Sequence, residues 1–237
     1  MWKKTFLSKI SNNKTYSRDG LFQLCSATKA DLTDSMFRWT LYGCLQQQQL
    51  FRVDYDTYTT RRPAVLPKYK PVYSDKTQHI LSALSEQYPE LSFVVFESTL
   101  LNEFLNHQIA QNTIYVQVDK EISSYIFEIL HTRYSGNVLY KPSQQEFDRY
   151  WTNNCLVVLD LISQSPLSSS EPHEMTAEKM LVDIVSEKSI AATFSPAELP
   201  SVFDNVLSGY KIETRRMKRY AGRRGKLAQI RKYMEMK

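Results

Sequence analysis

Between Asp34 and Gln46 the apolar side chains Phe37, Leu41, Cys44 and Leu45 recur at three- and four-residue intervals, the period of a helix with one buried stripe. Thr33, just ahead of it, is a residue type that caps helices. Two shorter helices are predicted before it. One is the amphipathic stretch Trp2–Ile10. The other is "RDGLFQLC", with Ser17 as its cap and Asp19 in the first turn, where the helix dipole favours an acid. "LFRVDYDTYTT" then offers two β-prone runs around Asp54-Tyr55-Asp56, which predicts a hairpin. Three helices followed by a hairpin is the order of a winged helix-turn-helix, here over residues 1–62.

The proline-rich "RRPAVLPKYKPVYSD" reads as a linker over 63–76. After it, helical and β-prone patterns alternate. A helix over Asp75–Tyr88 leads into the strand "LSFVVFE", and Ser98 is the expected cap of a helix in "TLLNEFLNHQ". The strand "NTIYVQV" precedes a helix over Asp119–Arg133. The strand "GNVLYK" precedes a helix opened by Pro142 and Ser143, and "NCLVVLDLI" is the fourth strand. This alternation predicts an α/β domain over 77–170 with a largely parallel sheet. Beyond the loop "SQSPLSSSEPHE", residues 171–237 read as helical throughout and end in a basic segment. The fold class expected is α/β, or α+β overall: a winged helix-turn-helix, a four-stranded α/β domain and a helical end.

The 237 residues are 42% apolar and 23% charged, ordinary values for a globular protein, and six Gly leave little room for flexible linkers. Cys25, Cys44 and Cys155 form no Cys-x-x-Cys pair, which points to the reduced thiols of a cytoplasmic protein. "MWKKTFLSKISNNK" breaks its apolar run too early for a signal peptide, and no stretch approaches the length of a membrane span, so no membrane partner is expected. Charge changes the picture more. Residues 211–237 carry eleven Lys/Arg against two Glu, and residues 1–62 carry ten against five Asp. The middle, 63–210, has nine against eighteen Asp/Glu. Basic ends around an acidic middle suggest that the ends meet a polyanion, most often nucleic acid.

Opposite the apolar stripe of the third helix lie Ser35, Trp39, Tyr42 and Gln46, with Arg38 at the edge. Such side chains suit the donors, acceptors and methyl groups of base edges in double-stranded DNA. Arg52 on the hairpin and Arg61 and Arg62 after it suit phosphates. At the other end Arg215, Arg216, Lys218 and Arg219 cover much of a helix circumference, while Met217 and Tyr220 face inward. Gly222 and Gly225 disfavour a continuous helix, so Arg223 and Arg224 are expected at a break, offering two guanidiniums and free backbone N–H groups to one anion. The alternatives are an ordinary helical subdomain or a protein-binding winged helix at the N-terminus, a solvated cationic face that pairs with the acidic middle domain, and a protein-interaction module without sequence-specific DNA binding whose acidic sheet domain binds a partner.

Catalytic signals are sparse. Glu97, Asp119 and Asp160 fall at or near strand ends, where α/β folds place their sites. Asp119, however, reads more simply as an N-cap, and it and Lys120 would face opposite ways on a strand. The acid-x-Lys match Glu235-Met236-Lys237 lies outside the sheet, and the four His show no metal-ligand spacing. No phosphate-cradling glycine loop or G-x-S-x-G is present, so no enzyme activity, cofactor or metal is expected. A degenerate metal-dependent nuclease stays as an alternative.

"YSRDGLFQL" and "TDSMFRWTLYGCLQQQQLFRVDYDTYT" resemble the N-terminal winged helix of AbiEi-type antitoxins, transcriptional regulators of type IV toxin–antitoxin systems. Of that group's Gly-x-Gly-x-Tyr hairpin only Tyr58 is matched, with Asp54 and Asp56 in place of glycines. "TAEKMLVDIV" is similar to its Pro-Glu-Arg-x-Leu-x-Asp helix, with Ala177, Glu178, Lys179, Leu181 and Asp183 in the matching places. The segments "FVVFESTLLNEF", "GNVLYKPSQQEFDRYW" and "RYAGRRGK" resemble an uncharacterised, mostly Bacteroidetes subfamily of the group. The resemblance implies operator binding by the winged helix and a C-terminal domain acting against a nucleotidyltransferase toxin encoded nearby.

Overall fold

The computed structural model describes residues 2–10, 14–54, 56–62 and 65–235, with only the backbone of Asp54. The chain divides into two compact units, Met1–Val65 and Leu66–Lys237.

In the first unit the order is α1 (Trp2–Lys9), β1 (Thr15–Ser17), α2 (Arg18–Ser26), α3 (Asp34–Gln46), β2 (Phe51–Asp54) and β3 (Thr57–Thr59). Ser17 accepts a hydrogen bond from the Gly20 N–H and Thr33 from the Met36 N–H, so both expected caps form. Phe6, Leu21, Cys25, Phe37, Leu41, Cys44, Leu50 and Tyr58 make the core. The strand β1 is not among the elements predicted from sequence. Its three residues pair antiparallel with β3, giving the sheet order β1-β3-β2. Tyr55, at the tip of the expected hairpin, lies outside the described residues.

In the second unit come α4 (Asp75–Gln87), β4 (Phe93–Glu97), β5 (Thr113–Val118), α5 (Ser123–Arg133), β6 (Val138–Tyr140), α6 (Gln144–Tyr150) and β7 (Cys155–Asp160). Five helices follow: α7 (Ala177–Ser186), α8 (Lys188–Ala191), α9 (Leu199–Gly209), α10 (Thr214–Arg223) and α11 (Leu227–Glu235). The sheet order is β4-β5-β7-β6. Every side chain of β5 is buried. Its alternation sends Ile114, Val116 and Val118 to one face, against Ile80 and Leu84 of α4 and Ile126 and Leu130 of α5. Tyr115 faces the other way, into a core shared with α7, α9, α10 and α11.

Four expectations are corrected here. The sheet is largely parallel through β5, β7 and β6, but its edge strand β4 runs antiparallel to β5. The connection after β4 contains a 3-10 segment, Ser98–Glu103, rather than a crossover helix, so a parallel return is not built. Ser98 caps nothing: its hydroxyl accepts from the Thr113 N–H and donates to Asn112 Oδ1. Asp119 likewise precedes a 3-10 turn, Lys120–Ile122, without capping it, and α5 begins at Ser123. The segment read as a linker is packed from Leu66 on. The buried Tyr73 donates to the Val95 carbonyl and accepts from the Met175 N–H, each at 2.8 Å, and Lys211 N–H donates to Pro67. The helical end shares the core of the sheet.

Candidate nucleic-acid interface

Helix α3 turns Phe37, Thr40, Leu41 and Cys44 into the first unit's core, which leaves its opposite face outward. Ser35, Arg38, Trp39, Tyr42 and Gln46 are all exposed there, and Trp39 is 72% and Tyr42 55% accessible. Aromatic side chains that large are ordinarily mostly buried, so two exposed on one face, three residues apart, make this face a candidate contact surface. Their rings meet edge to face, centroids 6.1 Å apart, and with Ser35 and Arg38 they line a shallow groove. Arg38 is only partly available: its guanidinium donates to Asp34 Oδ2 at 2.7 Å. The other carboxylate oxygen of Asp34 accepts from Arg18 of α2 at 2.6 Å, and Arg18 also stacks over Phe37. Hydrogen bonds from Arg18, then Arg38, hold the Asp34 carboxyl below the ordinary aspartate range. This bracket ties α2 to α3 and was missed in the sequence, where Arg18 stands sixteen residues from its partner. Arg52 lies against the Tyr58 ring, and Arg61 and Arg62 are exposed.

In the second unit the arginines divide. Met217, Tyr220 and Ala221 are buried, as expected of the inner face of α10. Arg216 is held by the Leu167 carbonyl at 2.6 Å and lies 3.6 Å from Glu213. The expectation of two free guanidiniums at the helix break is corrected for Arg224, which donates to Ser186 Oγ and pairs with Glu187. At the break itself the N–H groups of Arg224, Gly225 and Lys226 donate to the Tyr220, Gly222 and Ala221 carbonyls. Arg223 donates to Ser163 from an exposed position. Among the described residues, Arg215 and Arg219 are exposed and have neither hydrogen bond nor ion pair.

Beneath α10 lies a network the sequence did not reveal. The fully buried Lys179 ammonium donates to Gln117 Oε1 at 2.5 Å, to Asp183 Oδ2 at 2.7 Å and to the Tyr220 hydroxyl at 3.3 Å. Tyr220 in turn donates to Asp183 Oδ1 at 2.7 Å. Burial alone would raise the Asp183 carboxyl, but the Lys179 charge and hydrogen bond, helped by Arg224 and Gln117, hold it below the ordinary range. The signal was available in α7, which is apolar on almost every side of the Lys179–Asp183 pair and therefore buried all round.

The three carboxylates at strand ends do not converge. Val118 pairs with Asp160 at one end of the sheet, whereas Glu97 pairs with Ile114 at the other, because β4 is antiparallel. Glu97 is spent on structure, accepting from the Ser74 N–H and from Ser74 Oγ, Thr77 Oγ1 and Asn112 Nδ2. Asp160 lies 2.6 Å from Lys141. Among the described residues, no three His, Cys, Asp or Glu side chains gather around a metal-sized space, and no helix is long and apolar enough to cross a membrane.

The profile of DUF6577, a family of unknown function, matches residues 36–237. No curated protein matches the sequence significantly. Among solved structures, the crystal structure of RV2827C protein from Mycobacterium tuberculosis is similar at 11% identity, covering 98% of this chain and 79% of that one. The TM-score is 0.26, a likeness too weak to carry an argument.

Proposed function

We propose that this chain, which belongs to DUF6577, a family of unknown function, is a DNA-binding regulator whose N-terminal unit is a winged helix. The observation that carries the reading is the outward face of α3, with Trp39 and Tyr42 exposed over a fully buried stripe. The order α1, β1, α2, α3, β2, β3 with sheet order β1-β3-β2 supports a winged helix, with α3 as the reading helix. Ser35 and Gln46 supply hydrogen bonds to base edges, Trp39 and Tyr42 apolar contact, and Arg61 and Arg62 phosphate contacts. The resemblance of this segment to type IV antitoxins supports autoregulation of a nearby operon, with a nucleotidyltransferase-type toxin as the second partner.

The test is fluorescence anisotropy with the DNA immediately upstream of the reading frame and a scrambled duplex of equal length. The upstream duplex is expected to bind more tightly. Trp39→Ala/Tyr42→Ala should remove that preference, by roughly thirtyfold or more if each side chain supports one base step at about 1 kcal/mol or above. Equal affinity of the unaltered protein for both duplexes would sink the reading. A preference that survives the double substitution would assign α3 to a protein partner instead, for which an exposed Trp is equally suited.

A further inference from the structure

We propose that the exposed face of α10 is a second nucleic-acid contact, a row of arginines that grips the phosphate backbone of a duplex without reading its sequence. Arg215, Arg219 and Arg223 follow one another at four-residue intervals, so they rise along one side of the helix about 6 Å apart. Like charges at that spacing repel one another and weaken the helix. Arg215 and Arg219 have no partner to offset this, and Arg223 has only the neutral hydroxyl of Ser163. The row is nevertheless held rigid from behind by the buried Met217, Tyr220 and Ala221 and by the Lys179–Asp183–Tyr220 network. Pre-set cations that no acid among the described residues neutralises are a device for an external polyanion.

The kind of polyanion follows from what the surface lacks. Among the described residues, no large apolar side chain is exposed anywhere between 211 and 235. An interfacial membrane helix needs such side chains to enter the acyl boundary, and the hot spots of a protein interface cluster Arg with Trp and Tyr in desolvated pockets, which this face lacks. The row is also all arginine, whose planar fork binds phosphate oxygens in pairs. Arg231 and Lys232 are also exposed, on the following helix α11. None of this depends on α3 reading bases, so the two surfaces stand or fall separately.

Binding of the full-length protein to a random-sequence DNA duplex is measured across a salt series. Arg215→Ala/Arg219→Ala/Arg223→Ala should weaken it and reduce the slope of log K against log salt by about 2.7, since each phosphate no longer neutralised removes about 0.9. Alanine is favourable at exposed helical positions, and the triple Arg→Lys variant should keep most of the slope, which separates lost charge from lost fold. Trp39→Ala/Tyr42→Ala should leave the slope on random duplex nearly intact. An unchanged slope in the triple alanine variant would overturn the proposal. So would loss of binding only to phosphatidylserine vesicles or to polyglutamate while duplex binding persists.

Discussion

A buried lysine is costly unless its charge is met, and Lys179 is met by Asp183, Gln117 and Tyr220 at once. Asp183→Asn keeps a side chain of the same shape that can still hydrogen-bond Tyr220 and Gln117, but it leaves the ammonium without a counter-charge. The expected loss is about 3–5 kcal/mol, the usual consequence of removing one partner of a buried pair. The pH dependence follows from the lowered carboxyl of Asp183. Because the folded value lies below the unfolded one, the carboxylate's contribution is complete above the ordinary aspartate range and is lost as pH falls through the folded value. Urea midpoints of the two proteins should therefore lie far apart at neutral pH and draw together in strong acid. Equal midpoints at neutral pH would show that the pair contributes nothing.

At the scale of elements, two glycines that look alike in the sequence do opposite things. Gly222 lies inside α10 with no heavy atom near a prospective Cβ, so Gly222→Ala should stabilise the protein by up to about 1 kcal/mol. Gly225 has φ +67°, the left-handed conformation that ends α10, and Gly225→Ala should cost about 1–2 kcal/mol although the space is equally open. Thermal unfolding of the two variants tests the opposite signs, and a shift of both in one direction would contradict this account. The sequence showed that a break was present but assigned it to both glycines, because spacing carries no φ. Caps were legible in part: Ser17, Thr33 and Ser143 each accept the expected backbone hydrogen bond, whereas Ser98 and Asp119 cap nothing. The three-residue β1 was not legible, since "TYS" is too short to show a period and is a strand only because β3 lies beside it. The antiparallel β4 and the structural role of Glu97 were hidden for the same reason, each being decided by a partner distant in the chain. Of the interface, the outward face of α3 was legible from its own stripe, whereas the engagement of Arg224 by Glu187 and the bracket of Arg18 and Arg38 on Asp34 were not.

The whole molecule places its cations at both ends and gives each unit a core of its own. A unit of about sixty residues rests on a modest core and has little stability to spare. Phe37 is fully buried in it, and Phe37→Ala should cost about 3–5 kcal/mol, enough to unfold the first unit near room temperature. Residues 66–237 bury two further clusters, one on each face of their sheet, and neither includes Phe37. The expected result is two calorimetric transitions in the unaltered protein, only one of which is absent from the variant. Trp151 of α6's C-terminal cap, donating to Thr113, reports the second unit. Its near-ultraviolet signal should persist while that of the first unit's tryptophans, chiefly Trp2 packed on its core, disappears. Binding then separates the two proposed surfaces. The variant should lose its preference for upstream DNA but keep the salt-dependent affinity for random duplex proposed for α10. Coincident disappearance of the Trp151 signal and the first unit's tryptophan signal would mean that the units fold as one. Failure to bind random duplex while the second unit remains folded would move the phosphate-gripping surface to the first.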